Sequence, residues 1–327
     1  MSALSTRPAR GDAAQDPART TAVRALLRGA DARRRRTDRA MTVLMWGAFA
    51  LAMVPLASVA WTVVVHGAER FDLYFLTHSM RGVFGGMDAG GIYHAILGTL
   101  LITLGAAVIS VPIGLLAAIY LVEYGRGPLA RAVTFFVDVM TGIPSIVAGL
   151  FAYALFAVIL GPGVRMGVVG SVALSVLMIP VVVRSCEEML RLVPNELREA
   201  AYALGVPKWL TVVRVVLRTS VAGITTGVML AVARVIGETA PLLITVGVVD
   251  SINGNLFEGR MMTLPVYVYR QYSQGLVPCS SVTDAVCLPD INYDRAWAAA
   301  LTLILLVMLL NLVGRLVTRW FAPKTLR

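Results

Sequence analysis

The sequence predicts an all-α, polytopic membrane protein with six transmembrane helices. Its composition is that of the membrane class: 57% of the 327 residues are hydrophobic and the mean hydropathy is +0.76. Its apolar residues gather in runs, most of them near the about 20 residues that a helix needs to cross about 30 Å of hydrocarbon. Most of its cationic residues fall on one side of those runs when the sides are alternated, as expected of a chain oriented by its positive charge.

The six runs are Met41–Val65, Ile92–Leu121, Ala132–Leu160, Gly167–Val183, Thr219–Val249 and Ala296–Val317, the fourth being the shortest. Residues 1–40 are rich in Ala, Arg and Asp and nearly free of large apolar side chains, which reads as a disordered basic tail. Arg33–Arg36 resembles a secretion signal, but the run behind it is 25 residues long, against about 7–15 in a cleaved leader, so a retained first span is favoured. With the tail inside, 22 of the 29 Lys and Arg residues lie on the cytoplasmic side, six outside, and Arg234 within a span. That asymmetry places both termini in the cytoplasm. The net charge of +10 is therefore topological rather than a nucleic-acid footprint. The two lysines, Lys208 and Lys324, follow no glycine-rich stretch, so the chain lacks a P-loop. No metal cluster or nucleophile–base pair stands at helical spacing, so no enzyme activity and no cofactor of its own are expected.

In the outer segment 66–91, Phe71, Tyr74, Phe75 and Phe84 predict an interfacial belt or a short helix lying on the membrane. His78 and His94 stand alone, without metal-ligand spacing. In the second span Gly98, Gly105, Gly114 and Ser110 leave one side thin enough for close helix packing, and Pro112 permits a kink. The third span is interrupted by Thr141-Gly142-Ile143-Pro144-Ser145. Either the broken backbone lines a watery path, making Thr141 and Ser145 wall residues, or this is a proline-kinked packing helix with Asp138 near its cytoplasmic end. Arg184, Glu187 and Glu188 mark the inner end of span four. They read as snorkelling end charges, or, for the Arg184/Glu187 pair, as a gate or a joint.

The cytoplasmic segment 184–218 holds a polar stretch from Pro194 to Arg218 punctuated as a short helix. Asn195 is placed to cap it, Glu196 and Glu199 suit its positive end, and Gly205 with Pro207 stops it. About nine residues, roughly 14 Å, make a helix that is marginal without packing partners. Ala200, Ala201 and Ala203 give it a shallow surface. It is either a solvated loop or a knob presented to a cytoplasmic partner.

Span five carries Arg234 and Glu238. Each charge costs about 2.5–3.5 kcal/mol at mid-bilayer, so neither can face lipid. At i, i+4 on one helix they share a face and partly neutralise each other. The face is then a structural ion pair, or it lines a pathway where Arg234 offers donors to an oxyanion while Glu238 holds and screens it. A third reading makes Glu238 a proton relay in an ion-coupled carrier or channel. In the outer loop 250–294, Thr263–Tyr269 reads as a piece skirting the interface, and Cys279 and Cys287, eight apart on the oxidising side, predict a disulfide.

Two motifs carry a family resemblance. Glu199-Ala200-Ala201, then Gly205, then Val215 and Leu217, resembles the coupling loop of ABC-importer permeases, with Arg218 standing in place of the usual proline and Val215 in place of the usual isoleucine. Ala231-Val232-Ala233-Arg234-Val235-Ile236-Gly237-Glu238-Thr239-Ala240-Pro241, with Thr141–Ser145, resembles the permeases of phosphate-specific ABC importers over roughly residues 41–320. The resemblance implies a type I ABC importer permease fold and inorganic phosphate, or another oxyanion, as cargo. It implies a heterodimer with a homologous permease, two ATPase subunits that hold ATP and Mg, and an outer phosphate-binding protein. It places Glu199, Ala200, Ala201 and Gly205 against the ATPase, and Arg234, Glu238, Arg184 and Glu187 among the residues needed for transport. Residues 41–320 become the permease domain, between the tail 1–40 and a cytoplasmic C-terminal tail 321–327.

Overall fold

The computed structural model describes residues 31–279 and 287–321, and among these every regular element is helical. It comprises two units, residues 1–61 and 62–327. In the first, helix α1 (Asp31–Ala68) begins at Asp31 rather than at Met41. Arg and Ala are good helix formers, so the end of the basic tail continues the apolar helix upstream; the rest of the expected tail lies outside the described residues. Trp46, Phe49, Leu51 and Val54 point round the helix and are exposed, which is how a span facing lipid differs from a one-sided surface helix.

The second unit is built on α6 (Gly167–Arg191). Around it pack α3 (Tyr93–Ile119), α4 (Pro128–Thr141), α5 (Ser145–Leu160), α9 (Leu217–Val235) and α10 (Ala240–Thr245). The shortest expected span is thus the central one, running on from Val183 to Arg191. Its polar cytoplasmic third ended the apolar run in the sequence, but Cys186, Glu187 and Leu190 there are buried.

The α3–α6 seam explains the small residues. A side chain at Gly105 would collide with Ser171, and one at Gly114 with Val182. The close approach lets Ser171 Oγ donate to the Ile102 carbonyl at 3.0 Å and Ser110 Oγ donate to that of Ser175 at 3.4 Å. Gly98 serves a different contact, against the Met262 carbonyl.

Two spans are broken. The third is a bent pair, α4 and α5 meeting at 109°, so among the described residues five helices qualify as single spans and a sixth only if this pair counts as one. The fifth starts at Lys208, as α8 (Lys208–Thr211), and runs through a π-turn (Val212–Val216) into α9. It ends at Val235, not Val249, and α10 starts afresh at Ala240. Pro241 has no amide to donate and disfavours helical geometry before it, while Gly237 adds no propensity to resist the break.

Outside these, α2 (Leu73–Thr77) is capped by Asp72, which accepts from the Phe75 amide at 2.6 Å, and Phe75 is buried. Arg70, just before α2, pairs with Asp88, between α2 and α3, at 2.7 Å. The buried Arg295 donates to the carbonyls of Met87 and Ala89 at 2.7 and 2.8 Å. Asn195–Ala203 forms α7, and Leu264–Gln274 forms α11. The latter packs against α3 and α12 (Ile291–Phe321) with Leu264, Pro265, Val266 and Tyr267 buried, so it is core rather than an interfacial skirt. Burial raises the pKa of the Tyr267 hydroxyl and keeps it neutral. Cys279 and Cys287 are bonded to each other, and Cys186 is free and buried.

Gly105→Leu is expected to destabilise the chain by about 1–3 kcal/mol through overpacking, read as a lowered thermal midpoint in detergent. Gly47→Ala, in the interior of α1 where an added Cβ meets nothing within 4 Å, should leave the midpoint where it is or raise it slightly. Equal midpoints for the two variants would contradict the close α3–α6 seam.

Candidate functional site

The two breaks are brought to one place. Gly149 of α5 lies against the backbone of Pro241 of α10, so close that a Cβ there would sit 2.6 Å from the Pro241 Cα. Ser145 starts α5 one turn before Gly149, and Glu238 and Thr239 lie just ahead of α10. Thr141 closes α4, its hydroxyl donating to the Val137 carbonyl at 2.9 Å. Arg234 is exposed in the last turn of α9, and Glu238 is half-buried beyond the helix end, its amide donating to the Val235 carbonyl at 3.1 Å. The expected i, i+4 pairing therefore does not form. The helix stops between the two residues, and among the described residues no ion pair joins them. Among the described residues no hydrogen bond or ion pair engages the five donors of the Arg234 guanidinium.

On the cytoplasmic side, charges run in a chain. Arg184 Nη1 donates to Glu187 Oε2 at 2.9 Å, and Arg191 Nη2 donates to Glu187 Oε1 at 2.6 Å. Arg184 Nη2 also pairs with Asp138 of α4. Glu187 is the buried hub, its side chain 7% exposed, while Asp138 is 59% exposed. The sequence pointed to the Arg184–Glu187 neighbourhood, but Asp138 stands 46 positions away and only the packing of α4 on α6 shows the partnership.

The segment after Pro194 folds as α7, stopped by Gly205 at φ +76°. The Val206 amide donates to the Ala201 carbonyl at 3.1 Å, which closes the helix end. Pro194, not Asn195, takes the N-cap position, and the Asn195 side chain instead accepts from Arg198 at 3.2 Å. Glu199, Ala200 and Gly205 are exposed, together with Leu204 at 84%. Ala201 is not part of that face. It is 8% exposed and turned inward with Arg198, because residues three apart share a helix side.

Arg198 is the residue that sequence reasoning missed. Its Nε and Nη2 both donate to Glu123 Oε1, at 3.0 and 2.9 Å, the two side chains being 13% and 5% exposed. Glu123 sits in the π-turn Tyr120–Tyr124 that ends α3. An acid at the inner end of an apolar span is a sequence cue, but its partner lies 75 residues on.

This arrangement of bent and interrupted helices has relatives. A family model described as a binding-protein-dependent transport system inner membrane component matches residues 110–327. The chain is 47% identical over 293 residues to the phosphate transport system permease protein PstA of Mycobacterium leprae, covering 88% of this chain and 91% of that protein.

The chain belongs to the PstA family of transport permeases.

PstA 1 of Mycobacterium tuberculosis is 44% identical over 298 residues, covering 90% of this chain and 91% of that protein. PstA of Yersinia pestis is 37% identical over 292 residues, covering 89% and 92%. Two solved structures share the fold. A chain of the inward-facing MetNI methionine ABC transporter aligns with a TM-score of 0.51 at 20% identity, over 71% of this chain and 95% of that one. A chain of a bacterial alginate ABC transporter aligns with a TM-score of 0.55 at 12% identity, over 85% and 93%. The fold is that of ABC importer permeases, and the protein is a multi-pass transport subunit of the inner membrane rather than an enzyme.

Glu187→Ala removes the buried hub with its two charge-assisted hydrogen bonds, an expected loss of about 1–3 kcal/mol because the arginines it leaves, 36% and 67% exposed, can turn to water, whereas Asp138→Ala breaks an exposed pair worth about 0–1 kcal/mol. Denaturation of the purified variants in detergent ranks them; a Glu187 variant as stable as the Asp138 variant would show that the buried position carries no special weight.

Proposed function

We propose that the chain is one permease half of an ATP-driven importer that carries inorganic phosphate inward across the cytoplasmic membrane. The observation that carries this reading is near-full-length similarity to phosphate transport permeases in a chain whose α7 displays an exposed, glycine-stopped face to a partner. A homologous, PstC-like permease completes the path. Two PstB-like ATPases hold ATP and Mg on the cytoplasmic side, and a PstS-like binding protein delivers phosphate from outside. Both termini are cytoplasmic.

Closure of the ATPases presses on Glu199, Ala200 and Gly205 of α7, and the spans that follow tilt to open the path alternately outward and inward. Arg234 meets the passing anion from the end of α9, a permanent charge with planar donors that match two phosphate oxygens at once. Glu238, separated from it by the helix break, limits how tightly the anion is held, since a site that releases its cargo cannot be purely cationic. Thr141 and Ser145 flank the other break and line the wall. The Arg184–Asp138 contact, largely open to water, is the gate, and Glu187 holds Arg184 in place for it. An ion-coupled carrier is not favoured, because the relatives are transport-system permeases.

In proteoliposomes holding the complete complex, Arg234→Gln is expected to lower phosphate uptake by about tenfold or more, the size of one lost charge-assisted contact, while the amount of co-purifying ATPase stays the same. Normal uptake would remove Arg234 from the path. Replacing Glu199 and Gly205 together should abolish co-purification of the ATPase. Competition by sulfate and molybdate separates a phosphate permease from one for another oxyanion.

A further inference from the structure

The docking helix is fastened to the membrane domain by more than the peptide chain. Arg198 ties α7 to two other elements at once. Besides its two bonds to Glu123 at the end of α3, it donates from Nη2 to the Leu190 carbonyl at 3.0 Å in the last turn of α6 and from Nη1 to the Val193 carbonyl at 2.6 Å just beyond it. Lys208, the first residue of α8, closes on the same point: its ammonium donates to the Glu123 carbonyl and lies 4.8 Å from the centre of the Tyr124 ring. Both ends of the coupling segment thus converge on residues 123 and 124.

We propose that Arg198 and Glu123 form a strut that makes the docking helix and the cytoplasmic end of α3 move as one body, so that force on α7 enters the membrane through α3 as well as through α6. The proposal rests on the transport reading above and adds positioning residues to it. Burial decides that this contact is a strut and not a gate. Separating a sealed guanidinium from its carboxylate strands both charges away from water, which makes opening costly. The Arg184–Asp138 pair, with side chains 36% and 59% exposed, can exchange its partner for water instead. The strut also ends where the helices are least regular. Glu123 lies in the π-turn Tyr120–Tyr124, and Lys208 leads within a turn to the π-turn Val212–Val216. Each such turn inserts an extra residue, which rotates the helix on one side of it relative to the other. A push on α7 is therefore delivered at two points where the spans already change their winding.

The test compares Arg198→Ala, Glu123→Ala and the double variant in the complete reconstituted complex, measuring phosphate taken up per ATP hydrolysed together with the ATPase retained. The ATPase should be retained in normal amount, because the exposed face of α7 is untouched. The ratio should fall by about tenfold in each single variant and no further in the double, since both remove one shared contact. An unchanged ratio in either single variant overturns the strut, as does a double variant that loses the product of the two single losses. Loss of ATPase in step with uptake also overturns it, making Arg198 a docking residue. If the alanine variants do not fold, Glu123→Gln and Arg198→Lys keep the volume and one hydrogen bond and should lower the ratio by about threefold; an unchanged ratio in both overturns the proposal. Wild-type phosphate uptake measures the transport reading itself, so its failure is distinguishable from failure of the strut.

Discussion

A backbone amide or carbonyl inside hydrocarbon has no water to turn to, and each departure from straight helix in this chain obeys that limit. The bends at 142–144 and 236–239 free several such groups. They are placed where α5 and α10 press together so tightly that Gly149 admits the backbone of Pro241 with no room for a side chain. The short α10 recovers hydrogen bonds that a frayed end would have lost, and α6 supplies the common wall behind both elements. The small-residue seam between α3 and α6 serves the same end, since hydroxyls of Ser110 and Ser171 reach carbonyls across it only at close approach.

Burial sorts the charges by what they can do. Glu123 and Arg198 are sealed, so their contact holds. Glu187 is sealed but serves two arginines, one of which also reaches the exposed Asp138, so that end of the network is free to rearrange. Arg234 and Glu238 are kept apart by the helix break, and the arginine stays exposed with its donors uncommitted. An i, i+4 pair on a continuous helix would have spent those donors inside the chain. Breaking the helix between the two residues is thus a condition for Arg234 to meet anything else.

Much of this was legible in the order of residues. Gly105 and Gly114 announced a close seam, Gly205 announced the end of α7, and the Thr141–Ser145 run announced a break, because each depends on a property of the residue itself: a missing side chain, a missing amide, a fixed φ. Span ends were less legible where polar side chains are sheltered by neighbours. Arg184, Glu187 and Glu188 made α6 look eight residues shorter than it is, since hydropathy counts a charge without knowing its partner. Ala201 looked like part of the exposed face of α7 because it is small, but which side of α7 a small residue lies on follows from how the helix is anchored, and Arg198 anchors it.

The sequence by itself determined that this is a helical membrane protein, which motifs it carries, and where its glycines and prolines interrupt it, because composition and local stereochemistry act on neighbouring residues. Only the tertiary structure decided which charges meet. Glu123 with Arg198 and Asp138 with Arg184 are 75 and 46 residues apart, and Coulomb attraction at that separation along the chain exists only once helix packing has removed the distance in space.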